Sequence, residues 1–225
     1  SVINNYKDSV TRVISEQDDG MYDALVKGFS LATGEIIHYI NAGDLLNTYA
    51  VEVAVDIFRD SKIFWITGCR SICNENNVVT HVDIPFRYKN ALIKTGSYGR
   101  ALPYIQQEST FWRKSLLDQV DFNFFKKLQY AGDYYLWWSF SHVAELEVVS
   151  CPLGVFKKHD GQKSESTESY FKEIQGFACR RRPVHILQEW VELIFWTLHP
   201  RIRALFFNSV YRYNHKSRQW VKNYW

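Results

Sequence analysis

Hydrophobic positions along the chain fall into short runs separated by polar, glycine-containing turns, and their spacing alternates between the two regular periods. Met21, Leu25, Phe29 and Ala32 recur at helical spacing, which predicts a helix over 21–33 stopped by Gly34. The apolar run 35–40 then reads as a strand, 41–44 as a turn and 48–59 as a second helix. Residues 64–72 and 78–82 suggest a strand pair joined by the turn 74–77, and the β-branched run 11–15 suggests another strand before the polar loop 16–20. In the second half, Ala131-Gly132-Asp133 opens a helix through about Ala144, and 147–149 and 153–157 look like strands. A further helix is expected from Ser164, with Glu165 and Glu168 complementing the dipole of its first turn.

From Pro183 to Tyr213 two amphipathic helices are expected, broken at His199-Pro200. Ile186, Trp190, Ile194 and Leu198 mark the face of one; Ile202, Leu205, Phe206 and Val210 mark the other. Strand–helix–strand units of this kind predict an α/β sheet flanked by helices, with ligands beyond the carboxyl ends of the strands.

Composition sharpens this picture. With 225 residues, 46% hydrophobic and 23% charged, the chain can build a substantial core, which excludes disorder. No stretch reaches 18 uncharged apolar residues, so no membrane-spanning helix is expected. The start shows no secretory signal, and Ser1 in place of Met suggests an N-terminus further upstream. Cys69, Cys73, Cys151 and Cys179 are too scattered for a disulfide scaffold and suit a reducing, cytoplasmic setting.

The net charge of +3 divides unevenly. Residues 1–179 hold 18 basic and 22 acidic side chains (−4), whereas 180–225 hold 9 basic and 2 acidic (+7) and ten aromatics. The expected organisation is therefore a body over 1–179 and a basic, aromatic, helical appendage over 180–225. That appendage suits packing on the body, an oligomer contact, or the anionic inner face of the cell membrane. No recognised nucleic-acid motif accompanies it, so nucleic acid is not an expected partner.

Three acidic loops carry candidate chemistry. Asp44 follows an apolar strand at a glycine turn, where it is either a turn former or a ligand for a hard cation such as Mg²⁺ or Mn²⁺. Asp133 at a helix mouth is a helix cap, a general base, or both. The stretch Ser15–Ala24, an acidic, glycine-containing loop before a helix, either is a solvated cap or hydrogen-bonds a nucleotide base or ribose.

Motif order adds more. Ser15-Glu16, Asp18, Gly20, Tyr22-Asp-Ala24, Lys27-Gly28, Ala32-Thr-Gly-Glu35 and Asn41-Ala-Gly-Asp44 come first. Gln107-Glu-Ser-Thr-Phe-Trp-Arg-Lys-Ser-Leu116, Ala131-Gly-Asp133, Leu136-Trp137, Phe156, His159-Asp-Gly-Gln-Lys-Ser164, Tyr170 and Glu173 follow. Over roughly residues 10–175 this series resembles a family 2 glycosyltransferase of the GT-A fold.

The resemblance implies transfer of a sugar from a nucleotide-diphosphate donor to an acceptor hydroxyl, with inversion. Asp44 would match the last acid of the DxD-type metal motif, with Gly43 where many members have another acid. A divalent ion there would neutralise the leaving diphosphate. Asp133 would match the catalytic base. Asp18, Gly20 and Lys27 match the donor-flanking loop and helix, with Val26 where the family usually has Asn.

On the acceptor side, Gln107 and Glu108 match a polar segment suited to sugar hydroxyls. Trp112 offers either a sugar-stacking face or a buried aromatic. Trp137 and Trp138 are expected on the sheet, with one bordering the acceptor cleft. His159 is expected near diphosphate or metal, with Lys163 and Ser164 on a closing loop. The family's first strand–helix–strand is missing, and Asn4–Val10 resembles the linker after it, so the chain reads as lacking about half of the nucleotide pocket. The expected role is polysaccharide or glycolipid synthesis on saccharide or lipid-linked acceptors. The competing class is a non-catalytic sugar- or partner-binding module on the same fold.

Overall fold

The computed structural model describes residues 2–159, 161–162, 166–206 and 209–222. A 3-10 segment, Val2–Ser9, leads into an exposed, unpaired stretch over 10–19. The strand expected at 11–15 does not form, because a β-branched run needs a neighbouring ladder and none lies beside it here. Then come α1 (Met21–Leu31), β1 (Ile36–Ile37), β2 (Leu45–Leu46), α2 (Ala50–Phe58), β3 (Trp65–Thr67), β4 (Arg70–Cys73), β5 (Val79–Asp83) and α3 (Asn90–Lys94). The second half adds β6 (Thr110–Arg113), α4 (Phe122–Phe125), α5 (Gly132–Phe140), β7 (Leu146–Val149), β8 (Gly154–Lys157), α6 (Thr167–Phe177), α7 (Pro183–Thr197), α8 (Pro200–Phe206), β9 (Val210–Asn214) and β10 (Gln219–Lys222).

The strands form a six-stranded mixed sheet, β1-β6-β3-β7-β9-β10, and a four-stranded one, β2-β8-β4-β5. The single strand expected over 64–72 is thus two strands in different sheets. The chain breaks at Gly68, whose N–H donates to the Ser109 carbonyl at 3.0 Å. A Cβ on Gly68 would lie 2.5 Å from the Cys151 carbonyl oxygen, so only glycine permits this crossing of backbones.

Alternating strand residues feed two cores. Ile37, Trp65, Trp112 and Val148 join a large cluster with α1 and α5, while Ile66, Phe111 and Val149 face a smaller one with α2. In α2 the buried positions Ala50, Val53, Ala54, Ile57 and Phe58 keep the helical period. By contrast, α5 is enclosed nearly all round, burying Tyr134, Tyr135, Leu136, Trp137 and Phe140. It is the central helix, and Asp133 sits in its first turn.

The tail differs from the all-helical appendage expected. α8 ends at Phe206, and β9–β10 form a hairpin that extends the large sheet, with Val148 and Val149 of β7 opposite Val210 and Tyr211. Alternating Val210-Tyr-Arg-Tyr213 favours a strand over a helix. The turn closes with the Asn214 side chain accepting the N–H groups of Lys216 and Ser217 and with Arg218 left-handed (φ 54°). The tail is therefore joined to the body through a shared sheet as well as through helix packing.

Candidate active site

The turn after β1 places Asp44. Gly43 takes φ 101°, a conformation that disfavours any side chain, and the Asp44 N–H closes the turn onto the Asn41 carbonyl at 3.2 Å. Asp44 Oδ1 accepts the N–H of Lys157 at 2.9 Å, tying the turn to the end of β8. Burial raises the Asp44 carboxyl above its usual range, against the lowering effect of that bond and of Glu108, Asn41 and His159.

Glu108 is the partner that residue patterns alone did not reveal as such. It lies in a 3-10 turn, Gln107–Ser109, only 5% exposed, with Gly154 packed so closely that a Cβ there would fall 1.8 Å from the Glu108 carbonyl oxygen. Burial first, then the charge of Asp44, and more weakly that of Asp133, push its pKa to about 8. Burial thus strengthens the hold of both carboxyls on a proton, and at Glu108 the charge of Asp44 adds to it.

Asp133 is held by several elements. Glu173 of α6 accepts the backbone N–H groups of Gln129, Tyr130 and Ala131 at 2.7, 2.8 and 2.8 Å, fixing the loop that enters α5. The Gly132 N–H donates to the Tyr22 hydroxyl at 2.9 Å. A Cβ on Gly132 would meet the Tyr22 ring at 2.2 Å, which explains the glycine before the acid. The Asp133 carboxylate accepts its neighbour Tyr134 N–H at 2.7 Å and the Tyr170 hydroxyl at 3.3 Å. Burial nonetheless raises it to about 6.

Glu108 responds to both Asp44 and Asp133, so the three carboxyls belong to one electrostatic neighbourhood. The Tyr39 hydroxyl, raised first by burial, also feels Asp133, Tyr22 and Glu108. Tyr104 senses Asp133 too, and its ring is 43% exposed and 6.1 Å from that of Tyr170. Tyr104 is the accessible aromatic beside the acid, and its loop position gave no periodic signal.

Other expected site residues are placed differently. Trp112 and Trp137 are wholly enclosed, with ring centroids 5.6 Å apart, so neither offers a face to a sugar. They are core residues because alternate positions of β6 and the all-round apolar α5 point there. Trp138 stacks on Tyr135 at 5.7 Å. Gln107 is 6% exposed, and its amide is used internally, donating to the Tyr39 carbonyl and accepting from Asn41 at 3.2 Å. It shapes the Asp44 turn rather than presenting polar atoms to a ligand.

Lys27 is similarly engaged, by Glu16 at 2.9 Å, Asp23 at 3.3 Å and the Gln17 carbonyl at 3.1 Å. Asp18 accepts the N–H of Gly20 at 3.0 Å, and Gly20, at φ 117°, starts α1. This loop is a clasp on α1, and its exposed acids are free to meet solvent. His159 follows β8 and acts electrostatically on Asp44; its backbone N–H meets Gln162 at 3.2 Å. His159 also borders a cleft of about 320 Å³ with Cys73, Asn74 and Lys158. Lys163 and Ser164 lie outside the described residues.

The donor set bears on metal binding. Among the described residues no group of three His, Cys, Asp or Glu side chains converges as a metal site. Asp44 and Glu108 are carboxyls of the type that, once ionised, hold a hard divalent ion such as Mg²⁺ together with substrate phosphates.

No protein-family profile matches the chain, and no curated protein matches it by sequence. A solved structure does match by shape: S. aureus TarS 1-349, with a TM-score of 0.51 and 11% identity over 92% of this chain and 69% of that one. At that identity the likeness concerns the backbone architecture. The chain has a mixed α/β fold, two mixed sheets flanked by helices, whose backbone resembles that of this structure.

Proposed function

We propose that the chain is a glycosyltransferase that moves a sugar from a nucleotide-diphosphate donor to an acceptor hydroxyl with inversion. The observation that carries this reading is Asp133, an acid at about pKa 6, held by Tyr170 and Tyr134 in the neighbourhood of Asp44 and Glu108 on a glycosyltransferase-like fold. A base near neutrality accepts a proton efficiently without being protonated itself at working pH.

In this mechanism Asp133 takes the proton of the acceptor hydroxyl as its oxygen attacks the anomeric carbon opposite the diphosphate. Tyr170 orients the carboxylate, and Tyr104 offers a ring face to the acceptor. Asp44 and Glu108 lie at the diphosphate end, with His159 nearby. Asp44 and Glu108, once ionised, would hold a divalent cation there, which would supply charge neutralisation for the departing diphosphate. Asp18 and Gly20 border the donor in this reading, and Lys27 sets the shape of their loop. The acceptor is a saccharide or lipid-linked saccharide in polysaccharide or glycolipid synthesis, on the cytoplasmic side of the membrane.

The test is transfer and donor hydrolysis with a panel of nucleotide sugars, comparing wild type with Asp133→Asn. Transfer lost with donor binding retained supports the base. Undiminished transfer rejects it. The alternative is a non-catalytic sugar- or partner-binding module on the same fold. It requires saccharide binding without turnover of any donor, with or without Mn²⁺.

A further inference from the structure

α7 is amphipathic in the reverse sense. Its buried charged residues are Glu189 and Glu192, at 5% and 0% exposure, whereas Leu187, Trp190 and Ile194 stand 65%, 63% and 58% exposed. These three positions, at i, i+3 and i+7, form one outward stripe, flanked by the exposed Val184, Val191 and Leu193. The α7 side chains that pack inward are polar or aromatic. Ser97 donates to Glu189 at 2.6 Å, and Arg100 and Arg181 pair with it at 3.1 and 2.5 Å. Glu192 pairs with Arg87 and with Lys89 at 2.7 Å. Trp196 packs on Phe86 and Tyr88, with centroids 5.2 and 5.8 Å apart. The helix is thus fixed to the body without its apolar stripe; α8 adds two further exposed apolar side chains, Ile202 and Phe206, the latter with its ring 5.9 Å from that of Phe195.

Charge decides what fits this surface. Glu189 and Glu192 are the only acids over residues 180–225, and both are buried and neutralised from within. Arg180 and Arg182 at the start of α7, and Arg201 at the start of α8, are exposed. Within residues 180–225 the exposed apolar side chains are therefore accompanied by exposed positive charge and by no exposed acid. A second copy packed on it about a twofold axis would bring these arginines toward one another. A bilayer bearing anionic headgroups matches both features at once: acyl chains take the stripe and headgroups take the arginines.

The geometry points to α7 and α8 as an in-plane docking surface for an anionic membrane. This inference stands on the helices alone and survives or fails independently of sugar transfer. The experiment is flotation of the 225-residue chain with vesicles of phosphatidylcholine, and of phosphatidylcholine with about 30% phosphatidylglycerol. The chain should float with the anionic vesicles, at least tenfold less with the neutral ones, and progressively less as salt rises. Leu187→Glu with Trp190→Glu, both exposed and so compatible with folding, should abolish flotation while circular dichroism stays unchanged. Arg180→Glu with Arg182→Glu should remove the preference for anionic lipid.

No flotation with either vesicle, or flotation indifferent to Leu187→Glu with Trp190→Glu, overturns the proposal. So does a dimer in light scattering that the same double variant dissociates, if vesicles remain unbound.

Discussion

The Tyr170 hydroxyl lies 3.3 Å from each carboxylate oxygen of Asp133, so one phenol on α6 bridges both oxygens of the acid that opens α5. Hydrogen bonding of this kind favours the charged carboxylate, and it opposes the burial that raises Asp133 to about 6. Transfer should therefore rise with pH through about 6 as the base loses its proton. Tyr170→Phe should move that limb upward by roughly 0.7 unit, since a hydrogen bond contributes ~1 kcal/mol and a pKa unit is ~1.4 kcal/mol. The kcat/KM profile between pH 5 and 8 measures this, and a limb that stays put removes Tyr170 from the account.

Stability should carry the same signature with a definite sign. A carboxyl whose folded pKa is raised from 3.8 to about 6 binds its proton more tightly in the folded chain. Its contribution is fully present below the unfolded value and is lost as pH rises through the folded one. Asp133→Asn mimics the protonated form. It should be more stable than wild type at pH 8, by on the order of 1 kcal/mol after allowance for the acid's partial exposure, with the gap closing near pH 4. Urea midpoints at the two pH values decide, and a gap independent of pH contradicts the assignment.

Glu173 accepts three consecutive backbone N–H groups ahead of α5. Glu173→Ala should lower stability by about 2 kcal/mol, because charged acceptors contribute more than neutral ones and the freed donors lose their partner. Transfer should fall further than the unfolded fraction explains, since this loop sets the position of Asp133. Denaturant melts paired with turnover at full folding separate the two effects.

Trp112 and Tyr104 should respond in opposite ways. Trp112→Ala empties a fully enclosed site between Phe29, Tyr39, Trp137 and Phe140 and should cost ~3–5 kcal/mol. Tyr104→Ala removes a ring that is 43% exposed and should leave stability within ~1 kcal/mol while raising the acceptor KM. A Trp112→Phe enzyme with normal stability and weakened acceptor binding would reverse this division.

What the sequence determined by itself were features encoded locally: the helical period of α1, α2 and α7, the turn at Gly43-Asp44, and the glycine and acid at the mouth of α5. Each depends on neighbours a few residues apart, so spacing and turn chemistry are enough. Alternating strand and helix patterns also specified a mixed α/β sheet flanked by helices. Tertiary structure alone decided the rest. Gly68 divides one apolar run between two sheets because the Cys151 backbone passes beside it. The 210–214 segment becomes a strand because β7 offers it an edge. Trp112 turns inward because strand pairing fixes its face of β6, Trp137 because α5 is enclosed nearly all round, and the turn Gln107–Ser109 carries Gln107 onto Tyr39 and Asn41. Glu108 becomes the electrostatic neighbour of Asp44 only when residues 64 positions apart in the chain are brought together in a low-dielectric site, where burial and charge act over distances that sequence separation does not report.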